Sequence, residues 1–333
     1  MPLRFLGPGL VLLFAVSQAF RDVYFAHVFQ GIDFFTVILI AFSMSALLFF
    51  AVTMIRDPSA FTRLRGEFTT LLWMNLTTAL AWICYFYSLK HLQPSIVNTL
   101  HSGVGPLTVI LLSGLGVHIA KSSRAKRAEY FCHAGLAASL AFLWWVVLSG
   151  HSGLATADRV TGLAGLALLL VSGASITLSL LLSKRLNERG IGPDAITAGR
   201  YILIIMIALA VTMAERRPSG IASWQQYQVL IVATTILIVL PLYSLQLGIA
   251  RTAPLTAHVI RSLGPVCVFA LELADGRIAY SGPTLAGIGL YSVFSVAANL
   301  ARGWGGEAEP DADAGAIRSP DPYRSAHAPD RIR

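Results

Sequence analysis

Long apolar stretches alternate with short polar segments along almost the whole chain. A helix that crosses the roughly 30 Å hydrocarbon layer of a membrane needs about 20 mainly apolar residues, because each residue adds about 1.5 Å. Ten stretches come close to that length. They cover residues 6–24, 34–54, 68–89, 95–117, 130–148, 162–182, 195–214, 227–247, 254–273 and 283–301. We therefore predict an all-α polytopic membrane protein with ten transmembrane helices.

The chain also repeats itself. The pair Gly-Ile at residues 31–32 recurs 159 residues later at 190–191, and the Ala-Val-Thr-Met run that follows the first pair recurs with it. Each copy contains five predicted spans, and an odd number of crossings inserts the second copy into the membrane upside down. Inverted-topology repeats are typical of membrane transporters. We therefore predict two inverted five-helix repeats, the first over residues 1–150 and the second over 151–302.

Composition independently places the chain in a lipid bilayer. Hydrophobic residues make up 55% of the sequence, only 13% of residues are charged, and the mean hydropathy is +0.67. In soluble domains about 25% of residues are charged. The net charge of +8 does not indicate a nucleic-acid partner, because Lys and Arg lie mainly between the apolar spans. Cys84, Cys132 and Cys267 lie inside predicted spans without metal-ligand spacing, so we predict no metal and no other cofactor.

The positions of Lys and Arg in the loops predict the orientation. If the N-terminus is cytoplasmic, eleven basic loop residues face the cytoplasm and five face the opposite side. The two sets are Arg56, Arg63, Arg65, Lys121, Arg124, Lys126, Arg127, Lys184, Arg185, Arg189 and Arg251, against Lys90, Arg159, Arg216, Arg217 and Arg277. The positive-inside rule then places both termini in the cytoplasm, with the protein in the cell (inner or plasma) membrane. Residues 303–333 contain few large apolar side chains, so we predict a disordered cytoplasmic tail.

Motifs in both halves resemble one transporter family. Tyr-Ser-Leu-Lys-His-Leu-Gln-Pro at 87–94, followed by Gly-Pro-Leu at 105–107, has a counterpart in Gly-Ile-Ala-Arg-Thr-Ala-Pro at 248–254, followed by Gly-Pro-Val at 264–266. Asp-Ala-Ile-Thr-Ala-Gly-Arg at 194–200 completes the pattern. These segments resemble EamA-type members of the drug/metabolite transporter superfamily, over nearly all of the membrane part. The resemblance implies ten helices in two inverted repeats and export of small metabolites or drugs by alternating access.

The strongest candidate site lies just before the two Gly-Pro pairs. Asn98 and His101 share one face of the fourth predicted helix, and His258 and Arg261 occupy the corresponding face of the ninth. Each pair precedes a proline, which bends a membrane helix and frees backbone carbonyls. We expect a substrate path at these faces; the alternative is that the prolines are ordinary kinks and the polar groups only join helices. The predicted hinges are Gly105, Pro106, Gly264 and Pro265.

Further residues are predicted to line the path. The candidate residues on the third and eighth predicted helices are spaced so that they share one face of each helix. They could line a cavity, or the same face could pack against neighbouring helices. They are Asn75, Trp82, Tyr85, Tyr243 and Gln246. Arg200 either enters the site or extends its guanidinium to the membrane interface. Arg21 and Asp22 fall at the outer end of the first predicted span, where pairing or solvation is expected, and His133 falls near an interface.

Three classes of function compete, and a secondary transporter for a small-molecule substrate fits the inverted repeat best. An intramembrane enzyme is a remote alternative, because the motifs H-E-x-x-H and G-x-S-x-G do not occur. A receptor or structural membrane protein is the third class. The deepest ionisable residues are Arg and His, which favours export of a small anionic or amino-acid-like metabolite over broad drug efflux, the runner-up. Proton coupling and the oligomeric state stay open.

Overall fold

The computed structural model describes residues 6–114, 127–154, 158–214, 223–249, 252 and 254–303. This part of the chain consists of helices joined by short connections and contains no strand. Its α-helices are α1 (Leu6–Gly31), α2 (Phe34–Arg56), α3 (Ala60–Gly66), α4 (Phe68–His91), α5 (Pro94–Gly114), α6 (Arg127–Leu148), α7 (Arg159–Glu188), α8 (Pro193–Gly199), α9 (Ile202–Ala214), α10 (Trp224–Thr234), α11 (Leu240–Ile249), α12 (Pro254–Ser262), α13 (Gly264–Asp275) and α14 (Gly282–Gly303). A π-helical segment, Thr235–Val239, joins α10 to α11. The predicted tail lies outside the described residues after Gly303.

Seven helical stretches of the described chain are long and apolar enough to cross a membrane. They are Leu6–Gly31, Phe34–Arg56, Pro94–Leu112, Ala128–Leu148, Arg159–Glu188, Pro193–Ala214 and Gly282–Ala301. Large apolar side chains on these helices, such as Leu47, Leu163 and Met206, are exposed at the protein surface. Such a surface suits lipid rather than water. The protein is therefore an all-helical, multi-pass membrane protein.

The other three predicted spans fall on helices outside this set. α4 is 24 residues long but carries Asn75, Lys90 and several threonines. The eighth predicted span is divided between α10, the π-helical segment and α11. The ninth is interrupted at Leu263, between α12 and α13. Ten crossings therefore stay a prediction.

Local sequence explains where the longest helix begins and ends. Asp158 accepts a hydrogen bond from the backbone N–H of Thr161, which caps the N-terminus of α7. Gly190 follows the C-terminus of the same helix with φ of +76°, in the left-handed region that favours glycine. Asp33 caps α2 through the N–H of Thr36 in the same way as Asp158 caps α7. α7 therefore has a defined start and stop over its 30 residues.

Helices approach closely where one of them carries glycine. α4 packs on α7, α6 packs on α14, and α5 packs on both α7 and α13. A Cβ atom on Gly173 of α7 would lie only 2.7 Å from Cβ of Val104 on α5. A Cβ atom on Gly135 of α6 would lie 2.3 Å from the ring of Phe294 on α14. These small residues bring helices of both halves around a common interior.

Contacts between helix ends define two sides of the bundle. On the near side, Arg56 at the end of α2 pairs with Asp194 at the start of α8, at 3.2 Å. On the far side, the hydroxyl of Ser281, just before α14, donates to the carbonyl of His151, just after α6, at 2.6 Å. The loop charges predict that the near side is cytoplasmic. These two contacts provide reference points for describing the interior.

Labelling of single cysteines tests these sides. In a background in which the three native cysteines are replaced, we expect the exposed Ser59→Cys to react with an impermeant thiol reagent only from the cytoplasm, because it lies between α2 and α3 on the near side. The exposed Ser149→Cys, at the end of α6, should react only from the opposite face. Labelling of both from one face would contradict the assignment.

Candidate functional site

A cavity of about 380 Å³ lies among the helices and receives side chains from both halves of the chain. Its size falls in the range of about 300–1,000 Å³ that is typical of small-molecule sites. The charged, imidazole and amide side chains that line it are Gln18, Arg21, Asn98, His101, His133, Arg200, Arg261 and Asn299. Phe14, Trp82, Tyr85, Leu136 and Ile176 contribute apolar surface. The cavity therefore combines fixed polar groups with an aromatic wall.

A buried ion pair on α1 forms part of this wall. Arg21 donates from Nε and Nη2 to Oδ1 of Asp22, at 2.8 and 2.7 Å, and Nη2 also lies 3.3 Å from the hydroxyl oxygen of Tyr85. Nδ2 of Asn98 donates to the second carboxylate oxygen of Asp22 at 2.7 Å. The guanidinium carbon lies 5.3 Å from the centroid of the Trp82 ring. These contacts join α1, α4 and α5 at one point.

His101 is oriented by a hydroxyl on α7. Oγ of Ser172 donates to the carbonyl of Ala81 at 2.7 Å and therefore accepts from Nδ1–H of His101, at 2.9 Å. The imidazole packs edge-on against Tyr85, with ring centroids 4.7 Å apart. In the neutral ring, Nε2 is then the remaining acceptor. Asn98 and His101, predicted to share a face, thus both line the cavity.

Arg200 lies at the break between α8 and α9. Nη2 donates to Oγ of Ser179 at 2.8 Å, and Ser179 shares a hydrogen bond of 2.7 Å with Thr78. Cζ lies 5.6 Å from the centroid of the Tyr201 ring. Nε is buried and has no hydrogen-bond partner among the described residues. Arg200 was expected either in the site or at the membrane interface. In the structure it lies at the cavity wall.

Arg261 occupies the last turn of α12 and also lines the cavity. It forms no salt bridge within the described part of the chain. Tyr291 and Ser295 of α14, the helix on which α12 packs, line the same cavity. Arg261 is therefore a cation at the cavity wall that no carboxylate among the described residues pairs with.

The two predicted hinges differ from each other. Pro106 lies inside α5, which stays helical through it, and the preceding Gly105 lines the cavity. Gly264 and Pro265 instead begin α13, directly after the interruption at Leu263. Gly264 lines the cavity, whereas Pro265 is buried and does not. Only the second Gly-Pro pair therefore coincides with a break in its helix.

Asn75 does not line the cavity, although it was predicted to do so. Its Nδ2 donates to the carbonyl of Gly199 at 2.9 Å, and its Oδ1 accepts from the N–H of Leu203 at 3.1 Å. The amide thus pairs with backbone groups at the break between α8 and α9. Trp82 and Tyr85 of the same predicted stripe do line the cavity. The side chains of three other predicted residues lie outside the described part of the structure: Tyr243, Gln246 and His258.

Two cavity residues were expected elsewhere. The first predicted span ends at residue 24, but α1 continues to Gly31, so Arg21 lies well inside the helix. Arg21 and Asp22 do pair as expected, yet both are buried rather than solvated. His133, expected near an interface, lines the cavity and donates from Nδ1 to the carbonyl of Glu129 at 2.7 Å. The apolar residues Phe25, Ala26, Val28 and Phe29 were a signal that the first helix continues.

Five residues form a hydrogen-bonded cluster on the far side of the bundle. The carboxylate of Glu272 accepts hydrogen bonds from Nε2 of Gln93 at 2.9 Å and from the N–H and Oγ of Ser95 at 2.5 and 2.8 Å. Oε1 of Gln93 accepts from the N–H of Gly153 at 3.0 Å and from Oγ1 of Thr284 at 3.3 Å. We call these five residues the far-side cluster. It joins α13, α14, the start of α5 and the connection between α6 and α7.

Comparisons with known proteins support the fold and leave the chemistry open. Neither a family model nor a curated protein matches this chain. A solved crystal structure, described only as that of a protein, superposes on it with a TM-score of 0.60 and 17% sequence identity. The match covers 91% of this chain and 99% of the other. At that identity the likeness shows the fold alone. Fold and site together define a multi-pass helical membrane protein with an internal cavity that is lined by both charged and apolar side chains.

Substitutions in the ion pair test how strongly the structure depends on it. Asp22→Ala should lower the free energy of unfolding in detergent by about 3–5 kcal/mol, because Arg21 is then buried without a counterion. The double variant Arg21→Met, Asp22→Leu should lower the free energy of unfolding by less than Asp22→Ala does. Asp275→Ala, which removes the partner of Arg277 in an exposed pair, is the control and should cost no more than about 1 kcal/mol. A double variant at least as unstable as Asp22→Ala would contradict this account.

Proposed function

We propose that this chain is a secondary transporter that exports a small polar metabolite, anionic or amino-acid-like, by alternating access. The observation that carries the proposal is the cavity itself. It lies inside a membrane protein, is lined from both halves of the chain, and holds Arg21, Arg200 and Arg261. Ionisable groups that face the interior of a membrane protein mark substrate or ion pathways.

The pattern of helix contacts supports the two inverted repeats at 1–150 and 151–302. In such a repeat, α1 corresponds to α7, α4 to α10 with α11, and α5 to α12 with α13. The contact of α4 with α7 then has its counterpart in the contact of α11 with α1, and both are present. The contact of α5 with α7 likewise corresponds to the contacts of α12 and α13 with α1. Exchange of equivalent halves is the usual basis of alternating access.

The far-side cluster fits the part of a gate in this proposal. The lining residues of α6, α7 and α14 lie away from those helix ends that meet at the far side. Glu272, Ser95 and Thr284 have no exposed surface, so the far side is tightly packed. Release of a substrate on that side requires the hydrogen bonds to Glu272 to break. We therefore expect the cluster to control access from the far side.

Replacing the carboxylate of Glu272 by an amide tests this gate. Glu272→Gln puts an NH2 group where Gln93 and Ser95 already donate, so the cluster should open more often. In a background without native cysteines, the cavity residue Ser102→Cys should then react several-fold faster with an impermeant thiol reagent applied from the far side. Asp275→Asn, outside the cluster, is the matched control and should leave the rate unchanged. Equal rates in folded Glu272→Gln and parent protein would contradict the gate.

Release of metabolites from proteoliposomes by Arg261 variants tests transport itself. In proteoliposomes loaded with an extract of small metabolites, the protein should release an anionic compound, and Arg261→Ala should abolish that release. Arg261→Lys should retain part of it, because the charge stays while the bidentate geometry is lost. Arg277→Ala removes a positive charge outside the cavity and should have no effect.

Two results would decide against this proposal. If folded Arg261→Ala protein released the anionic compound at the rate of the parent protein, Arg261 would not belong to the substrate site. Release of lipophilic cations instead of anions would favour broad drug efflux, which the apolar wall of Phe14, Trp82 and Leu136 also accommodates.

A further inference from the structure

Three guanidinium groups of the described chain line the cavity, and within that part of the chain only one of them has a carboxylate partner. Arg21 is paired with Asp22. Neither Arg200 nor Arg261 takes part in a salt bridge within the described residues. Unpaired cations at membrane depth are costly and are retained for function. The cavity therefore carries two positive charges that the described chain does not neutralise.

Arg21 is already occupied. Its Nε and Nη2 atoms both donate to Asp22, and Nη2 lies within hydrogen-bonding distance of Tyr85. Trp82 and Tyr85 also cover the guanidinium, with ring centroids 5.3 and 5.4 Å from Cζ. Arg21 thus fixes the aromatic wall, and the two remaining cations are left for a ligand.

Arg200 and Arg261 reach the cavity from different walls. Arg200 is held by Ser179 on α7 and lies over the Tyr201 ring at the start of α9. Arg261 extends from α12, which packs on α14 and α1. A ligand with an anionic group at each end can pair with one cation on each wall. A planar carboxylate suits such a position because it pairs with guanidinium through two parallel hydrogen bonds.

We infer that the substrate is a small dicarboxylate, with one carboxylate on Arg200, the other on Arg261 and the carbon chain along the aromatic wall of Trp82 and Tyr85. This inference rests on the proposed transport function and narrows its substrate class. A ligand with two charges offsets both arginines, whereas a monoanion leaves one of them without a counterion among the described residues.

Binding of three probes to the purified full-length protein tests the inference. The probes are succinate, which has two carboxylates; succinamate, which has the same length and one carboxylate; and inorganic sulfate, which has two charges on one centre. At pH 7.5, succinate should bind at least about tenfold more tightly than either of the others, since one charge-assisted hydrogen bond contributes at least that factor. Equal binding of succinamate, or tighter binding of sulfate, would overturn the inference.

Variants assign the two ends of the ligand. Arg200→Gln and Arg261→Gln should each lower the affinity for succinate by about tenfold or more, while only one of them should weaken succinamate. Arg200→Lys should recover part of the loss, which separates charge from the structural contact with Ser179. Arg277→Gln, which removes an exposed arginine outside the cavity, should bind all probes as the parent does. Unchanged succinate affinity in folded Arg261→Gln would overturn the inference even if Arg200→Gln does not fold.

Flux distinguishes this inference from the proposed function. Succinate that binds as described but never crosses the membrane in proteoliposomes would refute transport and leave the dicarboxylate site standing. Transport of succinamate at the rate of succinate, unaltered by Arg200→Gln, would leave transport standing and refute the dicarboxylate site.

Discussion

The buried ion pair between Arg21 and Asp22 is the interaction around which the interior is arranged. Two charges at membrane depth are tolerated only if their other donors and acceptors are satisfied. Asn98 and Tyr85 supply those contacts from α5 and α4, so the two helices must meet α1 at one level. Trp82 then packs its ring against the guanidinium. The cavity wall includes the point at which these three helices meet.

Arg200 and Arg261, the two cavity arginines without a salt bridge among the described residues, share a local setting that favours a positive charge. Arg200 is the C-cap residue directly after α8, and Arg261 lies in the last turn of α12. Carbonyl groups at the C-terminus of a helix carry partial negative charge and favour a nearby cation. Asn75 supports the first of these interruptions by pairing with backbone groups on both sides of it. Helix breaks therefore position the charges as well as the chain.

The far side contrasts with the cavity in its chemistry. The cavity contains cations, whereas the far-side cluster holds one carboxylate, Glu272, surrounded by neutral donors. Ser95 contributes its backbone N–H from the first turn of α5, where helical amides lack partners within the helix. These hydrogen bonds join the two halves of the chain at the far side.

Hydropathy alone was enough to establish an all-helical membrane protein, because the length of an apolar run is a local property that lipid thickness constrains directly. Helical spacing was also enough to place Asn98 and His101 together, since their separation is fixed within one helix. Only the tertiary structure decided that Arg21 lines the cavity and that Asn75 does not. Both outcomes depend on contacts between helices far apart in the sequence, and no local pattern encodes those distances.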